Sequence, residues 1–169
     1  MAYLFELAAD CGCDPGKASV FGQTFDGVTW MLTDGTSVGC SFKSSDIWQA
    51  SDHRWWCRVV PDGVSATGAQ PRKVSTTPLL VEVAHLLYGH LMRCTGFWFA
   101  RVGWEVEESL DSQDWLRAKA EPSTLPAGVV VCRELFLELG SPSVLMPFGT
   151  NAFWKPLQEN DYSKLVQLF

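Results

Sequence analysis

The segment from Pro78 to Cys94 constrains the fold more than any other part of the chain. At 100° per residue, Glu82, His85, Gly89 and Arg93 fall in one narrow stripe. Every other position is apolar apart from His90. A helix with so thin a polar face is expected to be nearly surrounded by protein and to form the centre of a core. Thr77 is placed to cap it, and Pro78 suits the first helical position, where its missing N–H has no partner to lose.

What precedes this helix reads as strands. Thr29–Thr33 and Thr36–Phe42 flank Asp34-Gly35, a dipeptide that favours a tight hairpin. Val38, Cys40 and Phe42 alternate onto one face. Arg54–Val60 is a third strand, with Trp55, Cys57 and Val59 on one side and Arg54, Trp56 and Arg58 on the other. From Pro61 to Thr77 runs a connection rich in Gly, Pro, Ser and Thr that carries Arg72 and Lys73. Connections of that length are usually mobile or functional. No composition shift marks a boundary across it, so residues 1–169 are read as one domain.

Beyond the helix, Phe97–Glu107 has half-buried strand patterning: Trp98, Ala100, Val102, Trp104 and Val106 share one face, Arg101, Glu105 and Glu107 the other. Asp111 or Ser112 opens a short helix carrying Trp115 and Leu116. Val129–Val131 reads as a short strand or as the entry to the next helix. Cys132, Leu135, Phe136 and Leu139 recur at helical spacing, and Gly140 followed by Pro142 stops that helix; strand competes there because Leu137 spoils the polar face. The tail Val144–Leu157 is apolar and broken by prolines, and Tyr162, Leu165, Val166 and Phe169 suggest a last amphipathic turn or two. The expected fold is therefore α+β: an antiparallel sheet of four to six strands packed on the 78–94 helix, with smaller C-terminal helices closing the core.

Charge and cysteine usage narrow the functional classes. The formal net charge is −6, the pI about 5.0, and hydrophobic residues make up 47% of the chain. Such a chain is repelled by nucleic-acid phosphates and anionic membranes, whereas a basic protein partner is favoured. The stretch Leu79–Met92 is interrupted by Glu82, His85 and His90 and is no membrane span. The N-terminus lacks the basic residues and apolar run of a secretory signal, so a cytoplasmic location is expected. Six cysteines are then expected to be reduced core residues, not a disulfide framework.

Each candidate site has a plain structural alternative. Cys11-Gly12-Cys13 with His90 and Cys94, the latter two at i, i+4, supplies three sulfurs and one nitrogen for a zinc ion; packed core residues are the simpler reading, and no cofactor is expected. The same His90 and Cys94 have the makings of a base and a nucleophile. Both sit at a helix C-terminus, where the macrodipole disfavours a thiolate. His85 with Glu82 at i−3 reads as a surface ion pair. On an extended strand the Glu105 and Glu107 carboxylates stand about 7 Å apart, within glycosidase range, although glutamates on a solvated strand are ordinary. Arg54, Trp56 and Arg58 form a basic–aromatic stripe that reads as structural cation–π packing before a nucleotide grip.

The most distinctive charged feature is the run Glu105, Glu107, Glu108, Asp111 and Asp114, five acids with no Lys or Arg between them. Helix-start chemistry and a solvated strand end explain part of it. As a docking patch it would steer a basic partner and pair with its cations. No phosphate loop, nucleophile elbow, dinucleotide fingerprint or zinc-protease helix occurs. The leading expectation is a non-enzymatic protein-binding domain, a small acidic cytosolic inhibitor or immunity-type protein that occludes a basic toxin or nuclease. A hydrolase or metal-dependent enzyme using cysteine and histidine is the alternative, and a subunit docking through its 144–169 tail is a third.

Overall fold

In a computed structural model, which describes residues 4–65, 74, 76–106, 117–158 and 161, most strands join one antiparallel sheet. Its strands are β1 (Phe5–Asp10), β4 (Ile47–Gln49), β5 (Trp55–Val59), β6 (Phe99–Trp104), β7 (Val130–Cys132), β8 (Met146–Phe148) and β9 (Ala152–Trp154). Their spatial order is β4-β5-β1-β6-β7-β9-β8, so the sheet holds seven strands where four to six were expected. A separate two-stranded sheet pairs β2 (Thr29–Met31) with β3 (Ser37–Gly39). Among the described residues are also helices α1 (Pro15–Gln23), α2 (Thr77–Leu91) and α3 (Arg133–Glu138), short 3-10 turns at Ser44–Asp46 and Pro122–Thr124, and a helical stretch at 117–120. The architecture is α+β.

Two apolar clusters lie on opposite faces of the sheet. Phe5, Leu7 and Ala9 of β1 and Ala100 and Val102 of β6 meet α1, α2 and the β2–β3 hairpin on one face. Ala8, Trp56, Phe99 and Val131 meet Leu125, Leu135 and Leu139 on the other. β1 is buried along all six residues. A strand covered on both faces has no in–out alternation to display, which is why sequence patterning did not mark it. The half-buried reading of the β6 region is corrected for the same reason: Phe99 and Val102 point to opposite faces, and both are buried. The strand also ends earlier, at Trp104, because Glu105 turns the backbone into the left-handed region at φ 48°.

The helix expected at 78–94 runs from Thr77 to Leu91, with Thr76 rather than Thr77 as its N-terminal flanking residue. Leu80, Val83, Ala84, Leu87, Tyr88 and Leu91 are its buried face. The polar stripe stays outside: His85 and Gly89 are exposed, and Glu82 reaches across to accept the Thr33 N–H at 3.0 Å and its hydroxyl at 2.8 Å. That clamp fastens the hairpin, whose turn carries Gly35 at φ 86° as Asp34-Gly35 required. At the C-terminal side Cys132 ends β7 and caps α3, its sulfur accepting the Leu135 N–H at 3.4 Å. Gly140, at φ 79°, stops the helix as expected, and the Ser141 N–H closes onto the Phe136 carbonyl at 3.0 Å. The tail is not a free segment at its start, because residues 146–154 form the β8–β9 hairpin at one edge of the sheet. The expected helix near Asp111 and the final turns at Tyr162–Phe169 lie outside the described residues. Among the described residues no helix is long and apolar enough to cross a membrane.

Candidate functional site

β1 ends at the same edge of the sheet at which β5 and β6 begin and β7 ends, since the register sets Asp10 opposite Trp56 and Phe99, and Phe99 opposite Val131. The chain beyond these strands continues the ladder: Cys11 N–H bonds to Trp55 O at 2.7 Å, and Trp98 N–H to Asp10 O at 2.6 Å. The α2–β6 connection, the start of α1, the start of α3 and the β8–β9 turn meet at this end. They enclose a cleft of about 670 Å³. That size falls in the range of small-molecule sites.

Arg54 lines the cleft, and the buried Asp10 pairs with it from outside the lining. Asp10 is 2% exposed; its Oδ1 accepts the Gly12 N–H at 2.7 Å and its Oδ2 accepts from Arg54 Nε. Both oxygens accept, so the geometry is that of an ionised carboxylate. Burial pushes the Asp10 carboxyl up, and the Arg54 guanidinium and the Gly12 N–H pull against it. For Arg54, burial works toward neutrality and the Asp10 carboxylate outweighs it, so its net shift is upward. The guanidinium also lies 5.3 Å from the centre of the Trp98 ring, and its buried Nη2 has no hydrogen-bond partner.

Of the four residues considered for zinc, Cys11, Cys13 and Cys94 all line this cleft, together with Cys132, but His90 is not in its lining. His90 points away: its Nε2 lies 2.7 Å from the Thr24 carbonyl, and its ring packs 4.5 Å from Phe25. A carbonyl only accepts, so Nε2 carries the proton. Cys94 Sγ lies 3.3 Å from Thr24 Oγ1 and 3.5 Å from the His90 carbonyl oxygen. The thiol's one proton goes to the His90 carbonyl, and in the contact with the Thr24 hydroxyl, which also donates to Phe21 O at 2.7 Å, either atom can be the donor. The i, i+4 spacing thus brings His90 and Cys94 to a shared partner, Thr24, rather than to each other. Among the described residues no group of three or more His, Cys, Asp or Glu side chains is placed to hold a metal ion.

Burial favours the protonated form of the four buried thiols. It pushes Cys57 and Cys40 up to about 12 and Cys132 up to about 11, and it drives Cys11 higher still. Cys94 is raised as well, by burial first, against a lowering contact from Thr24. Cys13 is the exposed thiol of the six.

Of the acidic run, Glu105 is described and Glu107, Glu108, Asp111 and Asp114 lie outside the described residues. Glu105 sits at the end of the sheet opposite the cleft. Its N–H bonds to Leu4 O at 3.0 Å and its Oε1 accepts the Leu4 N–H at 2.6 Å, a reciprocal clamp between two chain ends of the sheet. The carboxylate pair imagined on one strand face loses its premise, because β6 has already ended at Trp104. Asp14, Asp34, Asp46 and Asp52 hold turns by accepting a backbone N–H two or three residues away, and Asp26 accepts the Phe42 N–H. The basic–aromatic stripe is packing. Trp56 is buried and stacks on Trp48, and Arg58 lies 4.6 Å over that same Trp48 ring.

Sequence reasoning singled out Cys11, Cys13 and Cys94 of the cleft but missed Cys132, Lys17, Arg93 and Arg133, which also line it. No local pattern could have marked them, since they stand in separate parts of the chain. Compared with models of known protein families, with curated proteins and with solved structures, the chain finds no match in any of the three.

Proposed function

We propose that this chain is a non-enzymatic protein-binding domain, an acidic cytosolic inhibitor of the immunity type that occludes a basic toxin or nuclease. The observation that carries this reading is the anchoring of the acidic run. Glu105, its first member, is clamped by both its N–H and its carboxylate to Leu4. That clamp fixes Glu105 at the end of the sheet opposite the cleft. The surplus of 19 acidic over 13 basic residues adds long-range attraction for a cationic partner. The state of the cysteines and histidine agrees: raised thiols and an imidazole bonded to a carbonyl are poor equipment for nucleophilic catalysis. The hydrolase or metal-dependent alternative is separated from this reading by thiol-reactivity profiling, with Cys13 as the exposed thiol, and by metal analysis of the purified protein.

The test is a charge reversal that spares the clamp. Glu107, Glu108 and Asp111 are changed to Lys while Glu105 is kept, because altering Glu105 would unfasten Leu4. Association with a panel of basic nuclease domains is followed by stopped flow and by inhibition of nuclease activity. The expected result is stoichiometric inhibition of at least one nuclease, with association slowed about tenfold or more in the triple variant and at high salt. Unchanged association rates in that variant, or no inhibition of any member of the panel, would overturn the proposal.

A further inference from the structure

The cleft has the opposite charge balance to the rest of the chain. Its lining contains four cations, Lys17, Arg54, Arg93 and Arg133, and one acid, Glu134, in a protein whose acids outnumber its bases 19 to 13. Arg54 and the buried Asp10 cancel each other, which leaves Lys17, Arg93 and Arg133 facing Glu134. Asp52, which accepts the Arg54 backbone N–H, is outside the lining. The cations line one cleft although they arrive from separate elements. Lys17 lies in the first turn of α1, Arg133 opens α3, Arg93 follows α2, and Arg54 precedes β5. Glu134 feels both Lys17 and Arg133: its carboxyl is held below the ordinary value by a backbone N–H first, then by the Cys132 thiol, with Arg133 and Lys17 adding.

The remaining wall is apolar and aromatic, from Leu91, Phe97, Trp98 and Phe148. Trp98 is fixed in place by its N–H to Asp10 O and by the guanidinium stacked on it. A buried Arg54 Nη2 without a partner marks a guanidinium whose donors are not all used inside the protein. Concave shape, an aromatic wall and several converging cations are the features by which proteins hold an organic anion.

We infer that this cleft is a binding site for a small organic oxyanion, a phosphate ester or carboxylate joined to an apolar body. The charged head is held between Lys17, Arg133 and Arg93, and the apolar part lies against Trp98 and Phe148. The site is at the end of the sheet away from Glu105, so it works independently of the acidic run and stands or falls separately from the inhibitor reading.

The experiment titrates phenyl phosphate, inorganic phosphate and uncharged phenol into the full chain, followed by amide and indole NMR shifts. Phenyl phosphate is expected to give saturable shifts confined to Gly12, Cys94–Trp98 and Arg133. Inorganic phosphate should bind the same site more weakly, and phenol should leave it unmoved. Lys17 and Arg133 are exposed, so K17Q/R133Q should fold normally, as its spectrum would show, and weaken phenyl phosphate about tenfold or more. K119Q, which removes an exposed cation outside the cleft, should leave affinity unchanged. Scattered or non-saturating shifts, equal binding of phenol, or undiminished affinity in K17Q/R133Q would each overturn the assignment.

Discussion

Replacing Tyr88 by Phe removes one oxygen atom, and the structure sets what that oxygen is worth. The β6–β7 register sets Phe99 opposite Val131 and Ala100 opposite Val130. Continued two residues further, it would bring Val102 opposite Gly128. Instead the Tyr88 hydroxyl stands between them, donating to Gly128 O at 2.7 Å and accepting from Val102 N at 3.2 Å. It ties the central helix to the place where two central strands part. Tyr88, Val102 and Gly128 are all buried, so water is shut out from the groups left behind. An orphaned buried N–H costs about 1–3 kcal/mol and an under-satisfied carbonyl about 1 kcal/mol. The ring contacts to Trp154 at 5.8 Å and Phe148 at 6.3 Å survive in Phe, so no cavity is added. The expected loss is therefore about 2–4 kcal/mol, a large share of a typical domain stability of roughly 5–15 kcal/mol. Thermal unfolding should fall by roughly 4–16 °C. Urea denaturation of wild type and Tyr88→Phe, with the denaturant slope unchanged, measures it directly. A difference below about 0.5 kcal/mol would refute the bridging role, because it would mean that Val102 N–H and Gly128 O find each other or water without the hydroxyl.

Other consequences can be checked as simply. Gly22 lies against Phe42, and a Cβ there would stand 2.1 Å from its ring, so Gly22→Ala should destabilise by about 1–3 kcal/mol through overpacking; an unchanged urea midpoint would show that Phe42 swings away freely. The raised thiols make stability fall in alkali. Their protonated forms are favoured in the folded chain, so the folded state binds more protons than the unfolded state between the ordinary thiol value of 9.0 and the raised values of about 11 to 12. Stability should be level below that window and drop within it by about 1.4 kcal/mol per pH unit for each such thiol. Cys57→Ala should lessen the slope by one thiol's share, and an identical slope in that variant would contradict the assignment. The clamp-sparing charge reversal and the organic-anion titration described above complete the set.

Elements whose signals are local were legible in the residues. Asp34-Gly35 marked the hairpin, the narrow polar stripe of Glu82, His85, Gly89 and Arg93 marked α2, and Gly140 marked the stop of α3. A turn dipeptide, an amphipathic stripe and a left-handed glycine act within a few residues, so the chain carries them wherever it folds. The β1 strand, by contrast, escaped notice because cover on two faces erases alternation, and β8–β9 because Pro147 and Pro156 disguise a sheet edge as a broken tail.

For the sites the division is the same. Spacing alone showed that His90 and Cys94 share a helix face, but their common partner Thr24 lies 66 and 70 residues away. Only packing could decide that one imidazole proton goes to a carbonyl. The cleft is entirely a tertiary product: strand register sets Asp10 beside Arg54, and the helix starts deliver Lys17 and Arg133 to the same mouth. The chain's composition determined its net negative charge. Where that charge is reversed depended on which loops the sheet brings together, because electrostatic fields follow distance in space and not position along the sequence.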